Sequence, residues 1–201
     1  MPMNTKLQII GLGGTNGAGK DVVGLLMAEK YGYLFISVTD LLRAEATRRR
    51  EPVEREVLRT ISAEWRRESG LGVLIEKGVA EYELVKHKHV GVVMASLRNP
   101  GEADRVHELG GTVVWIDADP RIRYDRIQAN AEARNRVEED RKTYEQFLVE
   151  EEAEMHSSGD AATLNMNGVK GKSDIFLTND SSDLDTLEAA IVAALGLSID
   201  P

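Results

Sequence analysis

The run Gly13-Gly14-Thr15-Asn16-Gly17-Ala18-Gly19-Lys20-Asp21 constrains this chain more than any other segment. It follows the apolar stretch Leu7-Gln8-Ile9-Ile10 and precedes a helical pattern, Val22, Val23, Leu25, Leu26 and Met27. Strand, glycine turn and helix, in that order, are the setting in which Gly-x-x-x-x-Gly-Lys becomes a phosphate-binding loop. The glycines let successive backbone N–H groups converge on one point. The helix N-terminus adds partial positive charge there, and Lys20 adds a full one. Such a loop holds a polyphosphate, most often ATP or GTP. The candidate nucleotide-binding residues are therefore Gly14, Thr15, Asn16, Gly17, Ala18, Gly19, Lys20 and Asp21. The full motif follows its lysine with Ser or Thr, whose hydroxyl ligates Mg²⁺; this chain has Asp21 there. A carboxylate is also a hard oxygen donor suited to Mg²⁺. It puts negative charge beside the phosphates as well, so the sign of its effect depends on the metal.

Strand-like runs alternate with helix-like stretches along the rest of the chain. Residues 6–11, 33–38, 89–95, 112–117 and 175–178 read as buried strands. Near-continuous apolar runs of this kind suit a parallel sheet covered on both faces. Asn99-Pro100-Gly101-Glu102, Asp119-Pro120, Thr143-x-x-Gln146 and Ser182 are helix starts, each offering a side-chain oxygen to the first turn. Val53, Val57, Leu58, Ile61 and Trp65 share one face of a helical insert between the second and third strands. The order predicts a single α/β domain, a three-layer sandwich around a five-stranded parallel sheet. Ligands of such sheets bind beyond the carboxyl ends of the strands. The candidate segments are then the glycine loop, Thr39-Asp40-x-x-Arg43, Ser96-x-Arg98 and the residues after Asp117.

Composition limits the partners. The 201 residues carry a formal net charge of −9 and no basic tract, which disfavours nucleic acid. There is no cysteine, so disulfides, thiolate metal sites and cysteine nucleophiles are excluded. No apolar run is long enough for a membrane span, and Met1 to Lys6 lack the apolar stretch of a signal peptide. The expected setting is the cytoplasm. His87 and His89 have no third ligand nearby in sequence, and Glu150-Glu151-Glu152 reads as a solvated helix face. Residues 157–172 are small and polar, and read as a mobile surface loop in which Lys170 and Lys172 are the phosphate-seeking side chains.

The stretch Ile36-Ser37-Val38-Thr39-Asp40-Leu41-Leu42-Arg43-Ala44-Glu45 resembles adenylate kinase and its relatives, the nucleoside monophosphate kinases of the P-loop NTPase superfamily. The phosphate loop, this stretch and the Arg98 region lie in the family's order. Arg98 and the pair Asn179-Asp180 also resemble dephospho-CoA-kinase-like and archaeal nucleotide-kinase-like groups. The resemblance implies an acceptor-binding helical insert at about 39–85, with Arg43 holding the acceptor's phosphate and Arg98 gripping the acceptor or transferring phosphate. It implies a lid-like segment at about 121–142, after the fourth strand. Its arginine is expected four residues after Arg126, where this chain has Asn130; Arg134 and Arg136 are the lid candidates instead. Asp40 is a helix cap, a Mg²⁺ ligand through water, or a base. Many relatives end the third strand on an acid that positions Mg²⁺; Val92-Val93-Met94-Ala95-Ser96-Leu97-Arg98 has none, which leaves Asp21 and Asp40 as the candidate metal residues.

The implied activity is transfer of the γ-phosphate of ATP, with Mg²⁺, to a nucleoside or deoxynucleoside monophosphate. Lys20, Arg98, Arg134 and Arg136 are the catalytic candidates, and Asp40, Arg43 and Arg98 the substrate-binding ones. A phosphate acceptor is already anionic and needs no strong base. Transfer to a hydroxyl, as in dephospho-CoA kinase, is the alternative and would use Asp40 as base. A nucleotide-binding protein without transferase activity is the third reading. Neither the acceptor base nor the oligomeric state is encoded in any of these spacings.

Overall fold

The computed structural model describes residues 8–130, 142–181 and 183–197. Within them the strands are β1 (Ile9–Gly14), β2 (Leu34–Ser37), β3 (Val92–Leu97), β4 (Thr112–Asp117) and β5 (Ile175–Thr178). They pair side by side in the order β2-β3-β1-β4-β5, and every neighbouring pair is parallel. β1 is thus central, and the loop that follows it opens at the middle of the sheet's carboxyl edge.

The helices are α1 (Lys20–Tyr31), α2 (Val38–Arg49), α3 (Arg55–Ser69), α4 (Val73–Val85), α5 (Pro100–Glu108), α6 (Pro120–Ala129), α7 (Tyr144–Met155), α8 (Met166–Gly171) and α9 (Leu184–Leu195). Alternate strand residues feed two cores, one on each face of the sheet. Ile9, Val92, Met94 and Trp115 join residues of α2, α3, α4, α5 and α8 on one side. Ile10, Val93, Val114 and Ile116 join residues of α1 and α9 on the other. This is the three-layer α/β sandwich that the alternation of runs predicts.

Boundaries differ where glycine or helix chemistry intervenes. β1 starts and ends three residues later than predicted, because Gly13 and Gly14 are strand residues packed against β4. A Cβ on Gly13 would meet Val169 Cγ1 at 2.8 Å. β2 stops at Ser37, since Val38 already opens α2. β3 runs on to Leu97 through a register shift, Leu12 facing Ala95 but Gly13 facing Leu97. The skipped residue is Ser96, in the left-handed region at φ 72.

The predicted caps Asn99, Asp119 and Thr143 all accept amides of their first turns, and Asn99 and Thr143 close full capping boxes with Glu102 and Gln146. Ser182 lies outside the described residues; the last helix is capped by Asp183. Val53 precedes α3 and is exposed, while Val57, Leu58, Ile61 and Trp65 do face the core.

The segment 157–172 is not the free loop its composition suggests. Asn99 Nδ2 donates to the carbonyls of Ala161 and Thr163, and Arg66 Nη1 to that of Ala162. The chain then forms α8, capped by Asn165, and buries Met166 and Val169 against the sheet. Its fixing groups come from residues far away in the sequence, so local periodicity carries no trace of them. Among the described residues, no helix is long and apolar enough to cross a membrane.

Candidate active site

The loop from Gly14 to Lys20 closes over the N-terminus of α1 as its spacing requires. Gly14, Gly17 and Gly19 have φ of 142, 81 and 99, a region that side chains other than hydrogen resist. A Cβ on Gly14 would stand 2.0 Å from the Ile116 carbonyl oxygen, and one on Gly19 would stand 2.6 Å from Asn179 Nδ2. The Ala18 amide turns to the Thr15 carbonyl at 3.3 Å. The amides of Asn16, Gly17 and Gly19 have no hydrogen-bond acceptor among the described residues. Donors gathered at a helix N-terminus without an internal acceptor are an anion cradle.

Three neighbours fix the shape of the cradle. Thr15 Oγ1 donates to Asp117 Oδ1 at 2.7 Å, at the end of β4. Asn179, after β5, donates Nδ2 to the Ala18 carbonyl at 2.8 Å. Arg123 of α6 is buried, and its guanidinium reaches the Ala118 carbonyl at 2.7 Å, the Asn16 carbonyl at 3.3 Å and the Glu151 carboxylate. The sequence suggests a solvated, lid-bearing role for the arginines of α6. The structure instead makes Arg123 a brace of the loop, and turns Arg126 to the carbonyls of Asn179 and Ser181. Asn130, at the expected arginine position, ends α6 by donating to the Arg126 carbonyl. Arg134 and Arg136 lie outside the described residues.

Lys20 is buried, and its ammonium donates to the carbonyls of Gly14 at 2.8 Å and Thr15 at 2.6 Å. Burial pushes its pKa down to about 8, and the positive charge of Arg98 pushes the same way; Asp21 and Glu154 resist. Arg98, just beyond β3, faces the loop across a cleft whose lining includes Gly14, Thr15 and Asn16 on one wall and Phe147, Glu151 and Glu154 of α7 on another. Arg98 Nη1 donates to Glu154 Oε2 at 2.8 Å. Glu154 also accepts from Arg59 Nη2 of α3 at 2.6 Å. Burial alone would raise the Glu154 carboxyl, but the charges of Arg98 and Arg59 overcome it and hold the pKa at about 2.

The predicted solvated face of α7 is therefore only partly solvated. Glu150 meets Arg55 and Lys142, Glu151 meets Arg123, and Glu152 alone of that run stays on the surface beside His156. Phe147, Glu150, Glu151 and Glu154 recur at helical spacing of three and four, so one inward stripe was readable in the sequence. Its acids are matched by arginines of other elements, which was not.

Asp40 and Arg43 sit on α2 and pair with each other, Arg43 Nη1 to Asp40 Oδ1 at 2.6 Å. Asp40 is inside the helix and does not cap it; Ser37 occupies that position. Neither side chain lines the cleft. Asp21, in the first turn of α1, is exposed beside Lys20.

ATP fits this cradle by the donor set: converging amides, the helix N-terminus and a buried ammonium. Mg²⁺ in such sites takes one or two protein oxygens, the rest coming from phosphate and water. Asp21 offers one from the position where the motif places its hydroxyl. Among the described residues no cluster of three or more His, Cys, Asp or Glu side chains forms a cation site by itself.

Comparison with known proteins agrees with this architecture. No family model matches the chain. It is 28% identical over 178 residues to the UPF0200 protein of Pyrococcus abyssi, covering 87% of this chain and 88% of that one. It is 25% identical over 189 residues to the UPF0200 protein of Pyrobaculum aerophilum, covering 92% and 95%. Among solved structures it resembles the shikimate kinase of Acinetobacter baumannii in complex with shikimate, with a TM-score of 0.54 at 14% identity over 96% of this chain and 95% of that one. The chain thus shares the fold of this kinase, with its glycine loop at the carboxyl end of the central strand.

Proposed function

We propose that the chain is a cytoplasmic ATP-dependent phosphotransferase that moves the γ-phosphate to a nucleoside or deoxynucleoside monophosphate. One observation carries this reading: Arg98 lines the same cleft as Gly14, Thr15 and Asn16 of the loop that buries Lys20. Cationic groups gathered around one cleft, here with the Glu154 carboxylate already on Arg98, suit a bound anion. A phosphoryl group passing from donor to acceptor is such an anion.

In this reading the loop from Gly14 to Asp21 holds the donor phosphates, and Arg98 grips the acceptor or the group in flight. Mg²⁺, bound with ATP, neutralises charge on the β- and γ-phosphates. Asp21 is its proposed protein ligand. Arg43 is the further acceptor contact suggested by the resemblance; its guanidinium is held by Asp40.

The shikimate kinase likeness keeps a hydroxyl acceptor in view. A hydroxyl would need a base, and the candidate, Asp40, pairs with Arg43 on an exposed helix face away from the cleft lining. That placement favours the phosphate acceptor. A coupled ADP-release assay over nucleoside monophosphates, dephospho-CoA and shikimate separates the readings. Turnover with a monophosphate that Lys20→Ala abolishes and Asp40→Asn leaves nearly intact supports the proposal. Equal ADP release by wild type and Lys20→Ala with every acceptor would remove it, and ATP binding without turnover would favour a purely nucleotide-binding protein.

A further inference from the structure

The cleft above the phosphate loop contains a carboxylate held as a bound anion would be. Glu154 of α7 is largely buried, its side chain 13% exposed. Each of its oxygens accepts from a different guanidinium on a different element: Oε1 from Arg59 Nη2 of α3 at 2.6 Å, and Oε2 from Arg98 Nη1 beyond β3 at 2.8 Å. We propose that Arg59 and Arg98 form the binding site for the phosphomonoester of the acceptor, and that Glu154 occupies this site as an internal substitute which the acceptor displaces.

Three observations support the assignment. Arg98 and Glu154 line the same cleft as Gly14, Thr15 and Asn16, so the pair shares a cavity with the donor cradle. The backbone of Arg98 is fixed on both sides: its N–H donates to Glu102 Oε2 at 2.7 Å, and its carbonyl accepts from the Asn165 amide at 2.9 Å. A side chain so anchored is aimed before its ligand arrives, which reduces the ordering cost of binding. Finally, Glu154 is close enough to Lys20 to raise its pKa, while Arg98 lowers it. The carboxylate therefore lies at the junction where donor and acceptor charges meet.

Charge explains why displacement is feasible. Glu154 brings one negative charge to two guanidiniums, of which Arg59 also holds Glu56 at 2.5 Å, whereas a phosphomonoester brings close to two, with three acceptor oxygens. Arg55, which also contributes to the field at Glu154, is near enough to add to that preference. The site also answers a difficulty in the sequence reading. Arg43, the acceptor-binding arginine expected from α2, is outside the cleft lining, whereas Arg59 of α3, though not itself a lining residue, brings a second guanidinium to the lining carboxylate of Glu154 at 2.6 Å.

The inference rests on the kinase reading only for the name of the acceptor. The test therefore uses binding, with inorganic phosphate and a nucleoside monophosphate as separate probes on the full chain. The side-chain Nε–H resonances of Arg59 and Arg98 and the carboxyl-carbon resonance of Glu154 are followed by NMR. With the wild-type chain, saturating phosphate is expected to shift both arginine signals and move the Glu154 signal to its unpaired position. Glu154→Gln is expected to reach the same arginine shifts at about tenfold lower phosphate, because a competing charged acceptor is gone. Arg59→Gln is expected to weaken binding by a similar factor. If phosphate leaves the Glu154 signal unmoved in the wild type, or if Glu154→Gln binds no more tightly, the carboxylate is only a structural partner and the proposal falls. The wild-type measurement stands even if the variant folds poorly. A site that answers to inorganic phosphate but not to the monophosphate upholds the anion site and removes the nucleotide acceptor instead.

Discussion

Glu102 divides its carboxylate between a buried cation and the backbone of the site: Oε1 accepts from Arg66 Nη2 at 2.7 Å, and Oε2 accepts the N–H of Arg98, also at 2.7 Å. Both side chains of the ion pair are essentially inaccessible, at 2% and 0% exposure. Such a pair adds little net stability over an apolar substitute, but removing one member strands a charge. Here the stranded group would lie directly under the residue that faces the phosphate loop.

Glu102→Ala is therefore expected to cost about 3–5 kcal/mol in urea unfolding. Glu102→Gln is not a mild change. An amide presents one acceptor oxygen and an NH₂ where two acceptors are used, so a cost of about 2–3 kcal/mol is expected. A loss under 1 kcal/mol for the amide would show that the Arg98 N–H is served in another way.

Gly14→Ala tests the cradle. The new Cβ would collide with the Ile116 backbone at a φ of 142, and that backbone cannot swing aside as a side chain does. The expected destabilisation is about 2–4 kcal/mol, with nucleotide affinity lost even below the melting transition. Thermal melting and nucleotide titration of the same sample measure both.

Lys20 predicts a proton taken up on nucleotide binding. Its folded pKa is about 8, and a triphosphate beside it stabilises the ammonium form. At pH 8 roughly half the lysines of the free chain are neutral, so binding should absorb about half a proton. Calorimetry in buffers of different ionisation heat reads this directly, and Lys20→Ala should abolish it. The same shift has a stability sign. The folded value lies below the unfolded 10.5, so burying the ammonium costs stability below about pH 8, and that cost fades as pH rises from 8 toward 10.5.

Glu154 predicts the behaviour in acid. Its folded pKa of about 2 lies below the ordinary 4.5, so its contribution is complete above pH 4.5 and vanishes as pH falls toward 2. Wild type should exceed Glu154→Gln by about 2–3 kcal/mol at neutral pH and lose that lead between pH 4.5 and 2. Parallel stability curves through that window would mean the carboxylate is not held by Arg98 and Arg59 in solution.

What could be read from the sequence was whatever is encoded locally. The glycine loop declares itself through fixed spacing, and β4 and β5 through short apolar runs bounded by turns. The roles of Arg59, Arg66, Arg123 and Glu154 could not be read this way. Glu154 reaches Arg98 across 56 residues and Arg59 across 95, pairings that only the sheet order brings together. Arg123 looks like any solvated arginine until β4 places it beside the loop. The family resemblance singled out Arg98, which lines the cleft beside the loop, and also Asp40 and Arg43, which pair with each other on α2 outside that lining.

Ser96 gives β3 one residue more than its partner strand can match. Side chains alternate from face to face along a strand, so the extra residue decides on which side of the sheet everything downstream emerges. Deleting Ser96 would leave composition and core almost untouched, yet it would send the following guanidinium to the opposite layer. A single codon in the middle of an apolar run thus sets the handedness with which the two halves of the cleft confront each other.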